Sequence, residues 1–133
     1  MKDFVDCEIR VRYAETDQMG VAYYANYLVW FEVGRSEFCR KKEFSYADLE
    51  AIGYKLVVTD AHCRYRNAAR YDEAITVRTW LKSLNSRMIT FGYRILRKEK
   101  EGVIAEGETR HLCIDSNSKP KSLPKEFAAR LTG

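Results

Sequence analysis

The chain has 133 residues, of which 46% are apolar and 32% charged, and its formal net charge is +4 at pH 7. This length predicts a single domain spanning residues 1–133. No apolar run is long enough to span a bilayer and the first residues lack the apolar core of a signal peptide, so we expect a soluble cytosolic protein without an integral membrane segment.

A strand and a turn are predicted at the start of the chain. Apolar side chains occupy every second position there and alternate with charged ones: Val5, Cys7, Ile9, Val11 and Tyr13. This period of two is typical of a half-buried strand. The turn that follows, residues 16–20, contains Gly20, which tolerates a positive φ. It also carries Asp17 and precedes a helix, where unpaired backbone N–H groups can polarise a carbonyl.

The longest predicted helix covers residues 26–42, with Asn26 as its N-cap. The residues of its predicted apolar face follow one another at spacings typical of a helix: Tyr27, Trp30, Phe31, Gly34 and Phe38. Such spacing indicates one buried face. Glycine in a helix interior costs about 1 kcal/mol relative to alanine, so Gly34 on this face predicts the close approach of another element. A short second helix over residues 46–51, capped by Ser45, is predicted to end at Gly53.

The rest of the chain is predicted to form sheet. Strands are predicted over four segments: residues 54–66, 75–81, 89–95 and 103–115. The alternation changes phase near Thr59 and Asp60, which indicates an irregularity in the first of them. Hairpin turns are predicted at 84–87 and 98–102, and a terminal helix at 124–131.

This order of elements predicts an α+β fold. The four later strands are expected to form an antiparallel meander, and long strands with one apolar face need a cover. The only long apolar helix available is the one at residues 26–42. We therefore expect an antiparallel five-stranded sheet wrapped around one long central helix.

The cysteines and histidines do not predict a metal site or disulfides. The four cysteines are scattered singly, which favours reduced thiols. His62 and His111 stand far apart, without cysteines or acids at ligand spacing, so no metal is expected. Both are expected to be packed or solvent-facing on strands. The modest charge suits an anionic small molecule at least as well as nucleic acid, and since no RNA-binding or zinc-finger motif is present, no nucleic-acid partner is expected.

One segment, taken with the order of the elements, resembles a known family. Tyr13-x-x-Thr16-Asp17-x-x-Gly20-Val21-x-Tyr23-Tyr24-x-Asn26-Tyr27 is similar to the signature of the 4-hydroxybenzoyl-CoA thioesterase family, including its tol-pal-associated acyl-CoA thioesterase branch. Residues 64–72 and the pair Leu123-Pro124 resemble further patterns of that family. The order of elements resembles the hotdog fold that the family adopts.

The resemblance implies a cofactor-free acyl-CoA thioesterase. Asp17 matches the carboxylate that acts as nucleophile or general base, and Tyr24 matches the position whose backbone N–H polarises the thioester carbonyl. Many tol-pal-type members have histidine where this chain has Tyr24, which is instead similar to the aromatic-acyl branch. The family forms dimers with composite active sites, and often tetramers, so a homo-oligomer is implied.

The predicted substrate-binding residues lie on the turn and on basic loops. Spacing alone makes Asp17 typical of a turn residue, and the whole signature favours catalysis. Glu15 is expected to be solvated, the Thr16 hydroxyl to position Asp17, and Tyr23 and Tyr27 to be core aromatics. Coenzyme A phosphates need basic partners. The predicted substrate-binding set is Thr16, Gln18, Gly20, Tyr23, Arg66, Arg70, Lys82, Ser86 and Arg87.

Three alternatives to an acyl-CoA thioesterase stay open. The substrate could be attached to an acyl-carrier protein, or the chain could be a hydroxyacyl dehydratase. Dehydratases need a histidine with an acid, and no histidine lies near the predicted helix start. The third alternative, from another class, is a non-catalytic acyl-CoA binding or scaffolding module.

Overall fold

The computed structural model describes residues 3–98 and 102–133. Its elements in chain order are β1 (Phe4–Arg10), α1 (Asn26–Lys41), α2 (Tyr46–Ala51), β2 (Lys55–Tyr65), β3 (Ala74–Leu84), β4 (Met88–Arg97), β5 (Val103–Ile114) and α3 (Lys125–Thr132). A short 3-10 turn, Tyr13–Glu15, lies between β1 and α1. Each predicted helix and strand is therefore present. The predicted hairpin turn at 98–102 includes residues 99–101, which lie outside the described residues.

The five strands form one antiparallel sheet in the order β1-β3-β4-β5-β2. The predicted four-stranded meander is wrong for β2, which pairs with β5 and not with β3. Both edges of β3 are already taken by β1 and β4, so the chain after β2 crosses to the other side of the sheet. The register of β2 shifts between Val58 and Asp60, which confirms the predicted irregularity.

Helix α1 packs on the sheet through the face that the sequence predicts. Tyr27, Trp30, Phe31, Gly34 and Phe38 are all buried, and the Phe31 ring stacks on Tyr93 with centroids 4.4 Å apart. These contacts make α1 the cover of the sheet's apolar face.

A strand approaches α1 closely at Gly34. A Cβ atom there would lie 2.5 Å from Thr79 Oγ1 and 2.6 Å from Val77 Cγ1. The prediction made from the helix glycine is confirmed, because β3 occupies the space that a side chain would need.

Two helix starts differ in how they are capped. Ser45 Oγ accepts from the Asp48 N–H at 3.2 Å, as predicted. Asn26 is not an N-cap: it is the first helical residue, and its Nδ2 donates to the Glu15 carbonyl oxygen at 2.9 Å. The side chain thus bonds the preceding turn instead of capping its own helix.

The four cysteines all lie in the described ranges and are free thiols, with Cys39 and Cys113 buried. Across residues 3–98 and 102–133, every helix is too short or too polar to cross a membrane.

Candidate active site

The turn that carries Asp17 is closed by its own backbone. The Asp17 N–H donates to the Val21 carbonyl oxygen and the Gly20 N–H to the Asp17 carbonyl oxygen, each at 3.0 Å. Gly20 adopts φ +80°, a left-handed conformation that glycine takes without strain. The Asp17 carboxylate accepts the Met19 N–H through Oδ1 at 2.8 Å. Its Oδ2 makes no hydrogen bond to residues 3–98 or 102–133.

A free backbone donor lies just before α1. The Tyr23 N–H donates to the Glu15 carbonyl oxygen at 2.8 Å and the Asn26 N–H to the Tyr23 carbonyl oxygen at 2.9 Å. Between them, the N–H groups of Tyr24 and Ala25 have no acceptor within the described part of the chain, and of the two residues Tyr24 lines the adjacent cavity. The N-terminal end of a helix carries a partial positive charge. The Tyr24 amide can therefore donate to a ligand oxygen.

A cavity of about 320 Å³ opens at this helix start. It is lined by Val21, Ala22, Tyr24, Tyr27, Tyr65, Arg66, Asn67 and Ala68. The Tyr65 ring stands edge-on to Tyr27 and Tyr24, with centroids 5.0 and 6.3 Å away. A larger cavity of about 400 Å³ lies near the other end of α1, away from the start of the helix; Asp17 lines neither cavity. We therefore assign the site to the smaller, aromatic cavity.

Tyr65 fixes the backbone of this cavity by a hydrogen bond. Its hydroxyl donates to the Tyr24 carbonyl oxygen at 3.1 Å. Burial, together with the neighbouring Cys63, raises the pKa of Tyr65 to about 12. The phenol consequently keeps its proton and remains a donor at physiological pH.

The predicted basic residues are divided between two ends of the sheet. Arg66 lines the cavity beside Tyr24, although its guanidinium is paired with Glu106 at 2.5 Å. Lys82 is paired with Glu108 at 2.5 Å and lines a different cavity, which also includes Arg66. The backbone of Arg70 forms a bridge with Val21 and its side chain is exposed.

Ser86 and Arg87 lie at the opposite end of the sheet from Tyr24. The register aligns Tyr65 with Ala105 and Ala105 with Ile95, so the cavity sits at the C-terminal end of β4. The hairpin with Ser86 and Arg87 precedes Met88 at its N-terminal end, about 25 Å away at the usual strand rise. One copy of the described chain does not bring these two residues to the site.

For the other predicted residues on and after the turn, the structure agrees with some predictions and contradicts others. The Thr16 hydroxyl donates to the Tyr13 carbonyl oxygen at 2.7 Å and not to Asp17. Gln18 is exposed beside Asp17. Tyr27 is buried as predicted, but Tyr23 is exposed and packs on the Tyr24 ring at 4.7 Å, because the two rings extend outward from the helix start.

The expectation that Glu15 is solvated is wrong. Its side chain is 5% exposed, and it accepts hydrogen bonds from the Arg12 N–H at 2.8 Å and from Trp30 Nε1 at 2.9 Å. A glutamate that bonds back to the N–H three residues earlier is the acidic half of a capping box. Because Arg12 stands where the capping-box motif has serine or threonine, the sequence carries no clear signal for this role.

Arg97 is a second residue that sequence reasoning missed. Its guanidinium pairs with Glu73 and donates to the Ala68 carbonyl oxygen at 2.7 Å. These bonds hold the segment that forms the back wall of the cavity. Only the crossing from β2 to β3 brings Arg97 next to Ala68, so no local pattern predicts the contact.

The histidines lie outside the site. His62 is exposed, and His111 is buried with Nε2 at 2.8 Å from Thr109 Oγ1. Within residues 3–98 and 102–133, the structure contains no group of three or more metal-ligating side chains.

Comparisons with known proteins agree on one family. The family model described as "Thioesterase-like superfamily" matches residues 11–131. The chain is 41% identical to "Putative acyl-CoA thioesterase YneP" of Bacillus subtilis (strain 168), covering 90% of this chain and 87% of the relative. It is 33% identical to "Acyl-CoA thioester hydrolase YbgC" of Escherichia coli O6:H1, covering 91% and 90%. The crystal structure of DHNA-CoA thioesterase from Staphylococcus aureus superposes with a TM-score of 0.87 and 38% identity, over 95% of this chain and 85% of that one.

Proposed function

This chain belongs to the thioesterase-like superfamily and is a thioester hydrolase of hotdog fold, and we propose that it hydrolyses acyl-CoA thioesters to a free acid and coenzyme A. The free Tyr24 N–H at the start of α1 carries the proposal, because Tyr24 lines a cavity and follows the Asp17 turn by a few residues. Thioester hydrolysis needs an attacking oxygen and a donor for the developing oxyanion. Asp17 and the Tyr24 amide supply these two parts.

The Tyr24 N–H acts as the oxyanion donor. The positive end of α1 adds to its effect as negative charge develops on the thioester oxygen. Because the donor belongs to the backbone and is held by the bonds of Tyr23 and Asn26 on either side, it needs no rearrangement during the reaction.

Asp17 acts by one of two routes, as nucleophile or as general base. As nucleophile, its carboxylate adds to the carbonyl carbon, coenzyme A leaves as a thiolate, and water then hydrolyses the mixed anhydride. As general base, it removes a proton from water, whose oxygen adds to the thioester carbonyl carbon, and the C–S bond then breaks so that coenzyme A leaves as a thiolate. A single turnover in H2¹⁸O, followed by mass spectrometry of the peptide, tests the nucleophilic route, because label in Asp17 requires the anhydride. Label confined to the product acid arises by direct hydrolysis and also by attack of water on the acyl carbon of the anhydride, so trapping of the anhydride with hydroxylamine then separates the two routes.

The edge strand β2 supports a dimer with composite sites. Its eleven residues have one side that pairs with no other strand of residues 3–98 and 102–133, and Val58 and Tyr65 on it are 55% and 45% exposed. A long exposed edge is a template for pairing with another strand, and a two-fold axis pairs identical strands antiparallel. The Lys55 end of the partner would then lie against Tyr65, and the hairpin with Ser86 and Arg87 of the partner subunit would lie at the same end of the combined sheet as this site.

A panel of thioesters tests the proposed function. Thiol release is measured with a chromogenic thiol reagent on short, medium and long aliphatic acyl-CoAs and on benzoyl- and hydroxybenzoyl-CoA. Turnover of one or more of them is expected. Turnover only of acyl-carrier-protein thioesters would show that these, and not acyl-CoAs, are the substrates. Tight acyl-CoA binding without any turnover would indicate a binding module.

A further inference from the structure

The carboxylate of Glu15 is buried and fully engaged at the base of the Asp17 turn. Oε1 accepts the Arg12 N–H at 2.8 Å, and Oε2 accepts Trp30 Nε1 at 2.9 Å and Arg12 Nη2 at 3.4 Å. Burial alone would raise its pKa, but these donors outweigh burial and lower it. A buried charge is tolerated only when it is bonded in this way, so Glu15 is ionised and fixed at neutral pH.

The backbone of Glu15 bonds the other side of the site. Its carbonyl oxygen accepts the Tyr23 N–H at 2.8 Å and Asn26 Nδ2 at 2.9 Å. One residue therefore connects the end of β1, the buried face of α1 and the segment on either side of Tyr24. It stands two positions before Asp17.

We propose that Glu15 is a positioning residue, whose bonds to Trp30, Arg12, Tyr23 and Asn26 fix the Asp17 carboxylate relative to the Tyr24 N–H. This inference rests on the proposed function, in which those two groups act on one thioester. Glu15 does not line the cavity and its oxygens are occupied, so it acts through Asp17 and not on the substrate. A displacement of about 1 Å in a reacting group can lower a rate by about 100-fold.

Two variants test the role with little change in size. Glu15→Gln turns an N–H₂ group toward one of the donors, and Trp30→Phe removes Nε1 but keeps an aromatic ring in the core. Each is expected to lower kcat by about tenfold or more while KM changes by less than about threefold. The double variant is expected to lower kcat no further than the more damaged single variant, because both changes break the same bond.

Phe38→Leu is the matched control for lost stability. Phe38 is fully buried on the same face of α1, more than two turns beyond Trp30, and does not touch the Asp17 turn. All variants are assayed well below their melting temperatures, and Phe38→Leu is expected to keep the wild-type kcat despite a lower Tm.

The outcomes separate this inference from the proposed function. Wild-type kcat in both Glu15→Gln and Trp30→Phe, with an inactive Asp17→Asn, would overturn the positioning role alone. The same loss of kcat in Phe38→Leu would also overturn it, since general destabilisation would then explain the effect. Wild-type turnover by Asp17→Asn would instead remove the proposed mechanism itself.

Discussion

Trp30 Nε1 donates a 2.9 Å hydrogen bond to Oε2 of the buried Glu15, and this bond joins the second turn of α1 to the turn that carries Asp17. The helix that covers the sheet therefore also sets the position of the candidate carboxylate. Packing of α1 and the geometry of the site are therefore coupled. Substitutions on the buried face of α1 near the Asp17 turn are expected to lower activity as well as stability, whereas substitutions remote from the turn are expected to lower stability alone.

Replacing Gly34 by alanine tests how tightly α1 lies on β3. The added Cβ would meet Thr79 Oγ1 at 2.5 Å and Val77 Cγ1 at 2.6 Å, and relief of such overpacking costs about 1–3 kcal/mol. Urea unfolding is expected to show a net loss, which is smaller than this overpacking cost because alanine gains helix propensity over glycine. Ser36→Ala, on the same helix but only half-buried, is the control. Because alanine also gains about 1 kcal/mol over glycine in a helix interior, a Gly34→Ala variant more stable than wild type by about that amount would show that helix and strand separate at no cost.

His111 predicts a dependence of stability on pH. Burial, and to a lesser extent the charge of Arg35, lowers its pKa from 6.5 to about 4. The unfolded chain thus binds a proton that the folded chain does not, and the free energy of unfolding falls as pH drops from about 6.5 toward 4. The full loss is about 3 kcal/mol, from 1.36 kcal/mol per pKa unit.

Urea unfolding at pH 7.0 and 5.0 measures this effect. His111→Phe, which keeps a ring against Phe91, is expected to remove most of the difference between the two pH values. His62→Gln changes an exposed histidine and is expected to leave the difference intact. A difference that persists in His111→Phe would assign the pH dependence to another group.

Tyr24→Phe separates the side chain of this residue from its backbone. The proposed donor is the Tyr24 N–H, which phenylalanine retains, and the Tyr24 side chain is 60% exposed. We expect kcat within about threefold of wild type on the best acyl-CoA. A 100-fold loss of kcat would show that the Tyr24 hydroxyl, and not the backbone amide, has the chemical role.

Val58→Asp tests the dimer through β2. In the antiparallel pairing proposed above, a charge at this exposed position would lie within the interface between the two β2 strands, so sedimentation velocity is expected to show a shift toward monomer, with loss of activity. Tyr71→Asp changes a residue of similar exposure on the chain leading away from β2 and is the control. An unchanged oligomer in Val58→Asp would rule out pairing through this edge.

The sequence predicted the elements well because their signals are local. The buried face of α1, the Ser45 cap and the phase change near Asp60 each follow from neighbouring residues. The position of β2 beside β5 depends on which edges of β3 are free, and this is a property of the whole sheet. The residues of the site show the same contrast between local and tertiary signals. Asp17 and Tyr24 fall within one sequence signature, whereas the burial of Glu15 depends on its contact with Trp30, which only the folded structure brings about.

The most direct test of the proposed mechanism is kcat/KM of Asp17→Asn against Asp115→Asn on the best acyl-CoA of the panel. Both aspartates accept backbone N–H groups two residues ahead, at 2.8 Å each, so the two changes disturb similar turns. Asp17→Asn is expected to lose at least about 1,000-fold, because it removes the attacking or proton-accepting oxygen, while Asp115→Asn stays near wild type. Turnover by folded Asp17→Asn comparable to that of Asp115→Asn would contradict the assignment of Asp17 as the catalytic carboxylate.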